Sequence, residues 1–314
     1  MKAIVLKEFG GIEQLIPTEL PIPVIGAEEV LVRVKAISIN PVDIKTRKGM
    51  GVAGRIKEEK PLILGWDISG IVTEIGNNVV DFKVGDEVFG MVNFPGHGKA
   101  YAAYVAAPAS QLALKPANIS HEEAAAATLA VLTAWLAVVH HANVQAGQKV
   151  LIHAAAGGVG HFAVQIAHHL GAYVIGTSSA ANKDFVMSLG ADAHIDYQTQ
   201  CFEEVVSGVD FVLDPLGGDN IDRSLEVMKQ GGTIISLPTG LRESVVEKAK
   251  AKGINGLFFM VQSSGEEMKI VADLLEKKII KAHVSQTFAF DQMAEAHQQV
   301  ESGKTVGKVV VTLE

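Results

Sequence analysis

The sequence is poor in three things: cysteine, proline and excess positive charge. Cys201 is the single cysteine in 314 residues. That excludes an intramolecular disulfide and any zinc site built on three or four thiolates. Proline numbers only 10 against 31 glycines, which excludes collagen-like or proline-rich extended architecture and points to many tight turns between strands and helices. Lys and Arg total 27 against 35 Asp and Glu, a formal charge of −8. A nucleic acid or an anionic membrane surface needs clustered cations, so neither is an expected partner. No apolar run is long enough to span a bilayer. The most apolar stretch, Ala124 to Val139, holds Thr128 and Thr133 and falls short of the roughly 20 residues a span requires. Met1-Lys2 opens into four apolar residues before Lys7, too few for the core of a secretory signal, and the expected location is cytoplasmic. What remains is ordinary globular usage, 48% hydrophobic and 20% charged, in a chain whose length predicts two domains.

Two textures divide the chain. Up to about residue 115, short β-like runs such as Val30–Ala36, Gly70–Gly76 and Asp86–Gly90 are punctuated by Gly, Pro and Asp, the pattern of an all-β or barrel-like unit. From Ser120, where Glu123 completes a capping box, strands alternate with helices. Lys149–His153, Ala172–Gly176, Asp210–Leu213 and Thr233–Leu237 read as strands, and His161–Leu170, Asn182–Leu189, Asn220–Lys229 and Glu266–Lys277 as helices. Such alternation predicts a parallel sheet with helices on its faces. Val306–Leu313 returns to β texture.

The most informative segment is Val150 to Ala167, an apolar strand, the small-residue turn Ala154-Ala155-Ala156-Gly157-Gly158-Val159-Gly160, and a helix. Small residues let the backbone approach a pyrophosphate, whose charge meets the free N–H groups of the helix start. Against G-x-G-x-x-G, Ala155 stands in the first place, while Gly157 and Gly160 fill the others. About 20 residues on, an NAD site needs a carboxylate for the ribose 2′-hydroxyl. Here the chain reads Gly176-Thr177-Ser178-Ser179, with Lys183 beyond. Hydroxyls and a cation suit a 2′-phosphate, so the predicted cofactor is NADP(H), although Ser178 and Ser179 could equally cap the helix that carries Lys183.

Over its whole length the chain resembles the zinc-independent quinone oxidoreductase branch, zeta-crystallin-like, of the medium-chain dehydrogenase/reductase superfamily. The resemblance lies in Asn40-Pro41-Val42-Asp43, Gly65-Trp66-Asp67-Ile68-Ser69-Gly70, Val84-Gly85-Asp86-Glu87-Val88 and Leu132-Thr133-Ala134. It continues in the 154–160 loop, Asp214-Pro215-Leu216-Gly217-Gly218 and Gly307-Lys308-Val309-Val310-Val311. It implies an α/β protein with a discontinuous GroES-like, partly open β-barrel catalytic domain, residues 1–117 and 257–314, and a Rossmann doubly wound parallel-sheet domain, 118–256. It further implies that Gly157, Gly158, Val159 and Gly160 hold the pyrophosphate with Thr133 nearby, and that Ser178, Ser179 and Lys183 face the 2′-phosphate. By the same resemblance Tyr197 lies beside the adenosine phosphate, Leu216 and Gly217 sit on the next turn, and Phe258-Phe259-Met260 form a strand meeting the nicotinamide amide. Asn40 falls at the nicotinamide end, and its alternative is an Asn-Pro turn held by its own side chain. A homodimer through the sheet edge near Asn255–Val261 is also implied.

Zinc-dependent members place Cys where this chain has Asn40 and a His-Glu pair where it has Trp66-Asp67. Neither Asn nor Trp supplies a thiolate or imidazole, and among the 11 histidines no H-E-x-x-H pattern occurs, so no metal is expected and most histidines read as surface residues or as supports behind a site. The chemistry left is hydride delivery to an acceptor that is already electrophilic, a quinone or, alternatively, an α,β-unsaturated carbonyl. Asn40, Asp67 and Tyr101 are the candidate catalytic residues, Tyr101 as proton donor against a plain core tyrosine, and Asp43 could line the site or be structural. A non-enzymatic nucleotide-binding protein, crystallin-like or RNA-binding, is the third reading. Glycines at 49, 51 and 54 mark the 47–60 segment as a possible lid.

Overall fold

The structure is a computed structural model that describes residues 1–238 and 242–314. It divides into two compact units, Met1–Leu132 with Val261–Glu314, and Thr133–Met260. The first segment supplies strands β1 (Lys2–Leu6), β2 (Leu15–Glu19), β3 (Glu29–Ile39), β4 (Asp67–Ile75), β5 (Glu87–Met91), β6 (Tyr104–Pro108) and β7 (Leu112–Leu114), with helices α1 (Pro41–Arg47), α2 (Ala53–Ile56), α3 (His121–Ala126) and α4 (Leu129–Trp135). The second unit supplies β8 (Lys149–Ile152), α5 (Gly160–His169), β9 (Tyr173–Ser178), α6 (Lys183–Ser188), β10 (Ala193–Asp196), α7 (Phe202–Val205), β11 (Val209–Asp214), α8 (Asp219–Glu226), β12 (Met228–Ser236), α9 (Arg242–Ala251) and β13 (Asn255–Leu257). The chain then returns through α10 (Gly265–Glu276), β14 (Val284–Ala289), α11 (Met293–Glu301) and β15 (Lys308–Thr312). No helix among the described residues is long and apolar enough to cross a membrane.

In the first unit the strands join in the order β14-β15-β3-β4-β5-β7, with β6 also on β3. The long β3 makes this possible by serving two partners along one edge, β6 beside Glu29–Arg33 and β15 beside Ala36–Ile39. Its other edge pairs with β4, and register shifts at Leu31/Val32 and Val34/Ala36 let one strand serve three neighbours. Val30, Val32, Val34, Ile68, Val72, Val88, Val309 and Val311 are buried in its core. β-branched side chains of this kind suit a pleated, buried surface.

The second unit's sheet runs β10-β9-β8-β11-β12-β13, with every pair parallel. This is the 3-2-1-4-5-6 order of the doubly wound Rossmann sheet, whose direction reverses between its first and fourth strands, here β8 and β11. Several boundaries differ from expectation. The helix after Asn220 ends at Glu226, and Met228–Gln230 already belong to β12. The strand expected at Phe258–Met260 is Asn255–Leu257, and Phe258, Phe259 and Met260 follow it as irregular chain. The apolar run from Ala124 to Val139 is divided among α3, α4 and a π turn over Leu136–His141. Thr128 lies at the break, its hydroxyl donating to the Ala125 carbonyl at 2.8 Å, a local bond that competes with the helical ladder. The capping box is present as read, Glu123 N–H on Ser120 Oγ at 3.2 Å and Ser120 N–H on Glu123 Oε2 at 2.9 Å.

Ala155, the departure from the glycine fingerprint, is accommodated at one point. A Cβ on Gly176 of the neighbouring β9 would lie 2.9 Å from Ala155 Cβ and 2.6 Å from Val186 Cγ1. The methyl missing from Gly176 therefore leaves the room that the Ala155 methyl takes. Gly176→Ala is expected to cost about 1–3 kcal/mol by overpacking, and adding Ala155→Gly to recover part of that loss. Urea denaturation of both single variants and the double variant measures the coupling, and strictly additive effects would show that the two positions do not compete.

Candidate functional site

Two clusters of the residues singled out above are present, one in each unit. The first is built by strand ends. β3 stops at Ile39, β4 starts at Asp67 and β15 starts at Lys308, and the register sets Ser38 opposite Asp67 and Ile39 opposite Val309. Asn40, Asp67 and Lys308 are thereby drawn together, at 1%, 0% and 3% exposure. The Asn40 carboxamide bridges the charges. Its Nδ2 donates to Asp67 Oδ2 at 2.7 Å, and its Oδ1 accepts from Lys308 Nζ. Lys308 also donates to the Ile39 carbonyl at 3.1 Å. The second Asp67 oxygen accepts from the Leu129 N–H at 3.3 Å, placing a carboxylate at the N-terminus of α4, where it is electrostatically favoured. Trp66 donates its indole N–H to the Gly96 carbonyl at 2.7 Å.

Helix α1 continues this network. Asn40 precedes it, Pro41 starts it with a ring that needs no N–H, and Asp43 Oδ2 accepts from the Asn40 N–H at 2.9 Å. The same oxygen takes the Tyr101 hydroxyl proton at 2.9 Å. Tyr101 Oη in turn lies 2.9 Å from His297 Nε2, which must be its donor. One helical turn on, Arg47 donates to Glu301 Oε1 at 2.9 Å. Asp43 and Arg47 stand four apart on α1, and His297 and Glu301 four apart on α11, so each helix shows the other a matched pair. The 47–60 segment thus starts on a buried arginine, 1% exposed, and includes α2.

Burial sets the protonation here. It pushes the Asp43 carboxyl up to about 7, with Asp67 adding to the rise and the Asn40 N–H, Tyr101 and Lys308 opposing it. Among the described residues Asp43 Oδ1 has no hydrogen-bond partner, so one oxygen carries all the stabilisation. Burial also raises Asp67 against the pull of Lys308, lowers Lys308 against both carboxylates, and holds His297 neutral, at about 3. Tyr101 is lifted well above the ordinary phenol value by burial and by Asp43. With its proton committed to Asp43 and no exposed surface, Tyr101 ties α1 to α11.

The second cluster sits at the carboxyl ends of the parallel strands, either side of the β8/β11 switch. After β8 the chain turns sharply, Ala154 at φ +48°, and enters α5 at Gly160. A Cβ there would lie 2.2 Å from the Ala154 carbonyl oxygen and 2.8 Å from Ala155 Cα, so only glycine lets the helix start this close to the strand. His161 Nδ1 lies 2.9 Å from the Gly157 carbonyl oxygen. Thr133, on α4, is 7% exposed. After β11, buried Asp214 organises the next turn. Its carboxylate accepts from the Leu216 N–H at 3.0 Å, the Gly217 N–H at 3.0 and 3.1 Å, Asn220 Nδ2 at 2.9 Å and Ser236 Oγ at 3.0 Å. Leu216 itself is exposed.

His153, at the end of β8, links Thr177 Oγ1 at 3.2 Å to Ser224 Oγ at 3.0 Å, and burial keeps it neutral, at about 4. His153, His161 and His297 are at most 1% exposed, so these three are buried supports for neighbouring polar groups rather than surface residues, the other of the two places expected for histidines. At the end of β9, Ser178 is 4% exposed, while Ser179 is half-buried and Lys183 and Tyr197 are exposed. Asp214, His153 and Lys308 were not among the predicted site residues. The Asp-Pro-Leu-Gly-Gly and Gly-Lys-Val-Val-Val strings that carry two of them were the available signal. Among the described residues no three His, Cys, Asp or Glu side chains group as metal ligands.

Two stability predictions follow from the buried network. Lys308→Met leaves Asp67 buried without its cation and is expected to cost about 3–5 kcal/mol, a loss that urea denaturation reads directly. Asp43 has its folded pKa raised from 3.8 to about 7. Its contribution is therefore full below about pH 4 and is lost as pH rises through 7. Asp43→Asn should gain stability relative to the unmodified chain as pH rises from about 4 to 7 and hold that gain above it, and parallel pH profiles for the two proteins would contradict this.

The chain was compared with known proteins. The family described as alcohol dehydrogenase GroES-like domain matches residues 26–117, and that described as zinc-binding dehydrogenase matches residues 189–311. The NADPH-dependent alkenal/one oxidoreductase of Arabidopsis thaliana is 33% identical over 321 residues, covering 99% of this chain and 79% of that protein. The quinone oxidoreductase structure from Coxiella burnetii superposes with a TM-score of 0.95 at 37% identity, covering 100% of this chain and 99% of that one. The Escherichia coli quinone oxidoreductase, solved in complex with NADPH, gives 0.87 at 28% identity with 100% of both chains covered. With two such units, an amide and a tryptophan where zinc-dependent members hold a thiolate and an imidazole, and this agreement over the full length, the chain belongs to the zinc-independent, quinone-oxidoreductase-like branch of the medium-chain dehydrogenase/reductase superfamily.

Proposed function

We propose that this protein is an NADPH-dependent oxidoreductase that reduces a quinone. The observation carrying the proposal is the β8 turn, where Gly160 admits the start of α5 hard against the strand at the switch point of a doubly wound sheet, where nucleotides bind in this topology. The residues fit NADP(H). Gly157, Gly158, Val159 and Gly160 would hold the pyrophosphate, with Thr133 nearby. Ser178, Ser179 and Lys183, with no carboxylate at the end of β9, would receive the 2′-phosphate. Tyr197 would lie on the adenosine side, Leu216 and Gly217 on the turn that Asp214 fixes, and Phe258 and Met260 toward the nicotinamide. Bound NADPH supplies a hydride.

The chain's own part is to orient the nucleotide and to exclude water. A quinone needs no Lewis acid, because the charge it gains is delocalised onto oxygen, and one solvent proton completes the hydroquinone. Asn40, Asp67 and Tyr101 act as positioning residues. Their polar atoms are spent on one another, on Lys308 and on Asp43, and they fix where β3, β4 and β15 end. Reduction of an α,β-unsaturated carbonyl is the second reading, supported by the alkenal/one oxidoreductase at 33% identity. The resemblance and the outermost place of β13 in its sheet also support a homodimer, which sedimentation tests.

Stopped-flow NADPH oxidation with quinones and with enones tests the assignment. Turnover confined to enones moves it to the second reading, and no turnover with any acceptor leaves a nucleotide-binding protein. Lys183→Ala is expected to raise the KM for NADPH roughly tenfold, the loss of one charge-assisted contact, and to leave that for NADH unchanged. An equal loss on both nucleotides would remove Lys183 from the 2′-phosphate.

A further inference from the structure

The carboxyl end of β9 carries a group that the reading above does not use. β10 pairs with β9 in parallel, with His194 opposite Gly176 and Asp196 opposite Ser178. His194 reaches across so that its Nε2 lies 2.7 Å from Ser178 Oγ. Ser178 Oγ donates to the Ser179 carbonyl at 3.1 Å, so the imidazole N–H is the donor in the shorter contact. A histidine thus orients the serine assigned to the 2′-phosphate.

The local charge shows why this is consequential. Asp196 lies in the same place, its Oδ1 accepting from the Ala180 N–H at 3.2 Å and its Oδ2 from Thr199 Oγ1 at 2.8 Å. Lys183 on α6 and Asp196 on the histidine's own strand are the charged groups acting on His194. With the imidazole neutral, Lys183 and Asp196 offset one another, and Asp184 beside Lys183 adds a further negative charge, so no positive excess is offered to a phosphate dianion. Protonating the imidazole adds one positive charge. Burial and Lys183 hold His194 below the ordinary imidazole value, and Asp196 opposes them, so it is neutral at pH 7.5 until further negative charge arrives.

We propose that His194 is a specificity-determining residue that becomes an imidazolium when the 2′-phosphate of NADP(H) binds, holding it together with Lys183 and with Ser178, whose hydroxyl proton turns from the Ser179 carbonyl to the phosphate. One proton leaves a buffer acid in solution and adds to Nδ1, so the N–H bond formed replaces the bond that held it there. Binding of the phosphorylated nucleotide then carries proton uptake, and binding of NAD(H) does not. The inference rests on placing the 2′-phosphate at Ser178, Ser179 and Lys183.

Calorimetric titration of the full chain with NADP⁺ and with NAD⁺ at pH 7.5, in HEPES and in Tris, counts the protons exchanged. Free 2′-phosphate is already largely the dianion there, its second pKa being about 6, so its own titration adds little and has the opposite sign. The unmodified protein is expected to take up a fraction of a proton with NADP⁺ and none with NAD⁺. His194→Gln keeps an N–H donor for Ser178 without the titration. It is expected to abolish the uptake, to weaken NADP⁺ roughly tenfold and to leave NAD⁺ binding intact, which also reports that the variant is folded. His194→Val should lose the uptake in the same way. Equal uptake in the unmodified protein and in H194Q overturns the role of His194 while the subsite stands, provided that K183A weakens NADP⁺. If K183A binds NADP⁺ normally, the subsite and the role of His194 fall together.

Discussion

One carboxamide holds the first unit's electrostatics in balance. Asn40 passes its Nδ2 proton toward Asp67 and offers its oxygen to the Lys308 ammonium, so a cation and an anion, each ruinous if buried alone, are joined through a neutral group of fixed length. Every strand end at this point is specified by it. An aspartate in place of Asn40 would add a third carboxylate, and an alanine would leave both charges without their shared partner. The same residue fixes the entry to α1, and through Asp43 and Tyr101 the constraint reaches α11. Asp67 reaches α4 independently, through the Leu129 N–H.

The second unit solves the burial of polar groups differently. Its interior holds groups that are neutral or fully hydrogen-bonded: His153 kept uncharged between two hydroxyls, and the buried Asp214 carboxylate saturated by donors from the turn it shapes. The ion pairs Lys248–Asp222 and Lys252–Glu226 lie at the surface, where such pairs add little to stability. The turns on either side of the β8/β11 switch are therefore held by buried side chains, and the Leu216 and Gly217 N–H groups are committed to Asp214.

Much of this was legible in the sequence because it is local. The Ser120 capping box, the small residues of 154–160 and the alternation of strand and helix are patterns within a few residues. What the sequence hid is contact across long separations. Lys308 reads as one cation in a closing strand, and nothing beside it announces that Asn40, 268 residues away, needs a charge. His297 carries no local sign that Tyr101, 196 residues earlier, meets its ring. β10 was missed because Ala-His-Ile-Asp mixes polar and apolar residues without a strong period. The helix after Asn220 was drawn too long because a strand began where its pattern was expected to continue. In both cases pairing with a neighbouring strand decided the outcome over local propensity.

The place of β15 in the chain has a consequence for how the molecule is made. The sheet of the first unit is completed by a strand that leaves the ribosome only after the whole second unit. Asp67 and Asn40 are synthesised early and wait, without their ammonium, while Thr133–Met260 is translated and can fold first. Until Lys308 arrives, the edge of β3 beside Ala36–Ile39 is an unpaired template. A nascent chain that ends before Lys308 therefore lacks both the strand that covers this edge and the ammonium that Asp67 meets in the finished sheet.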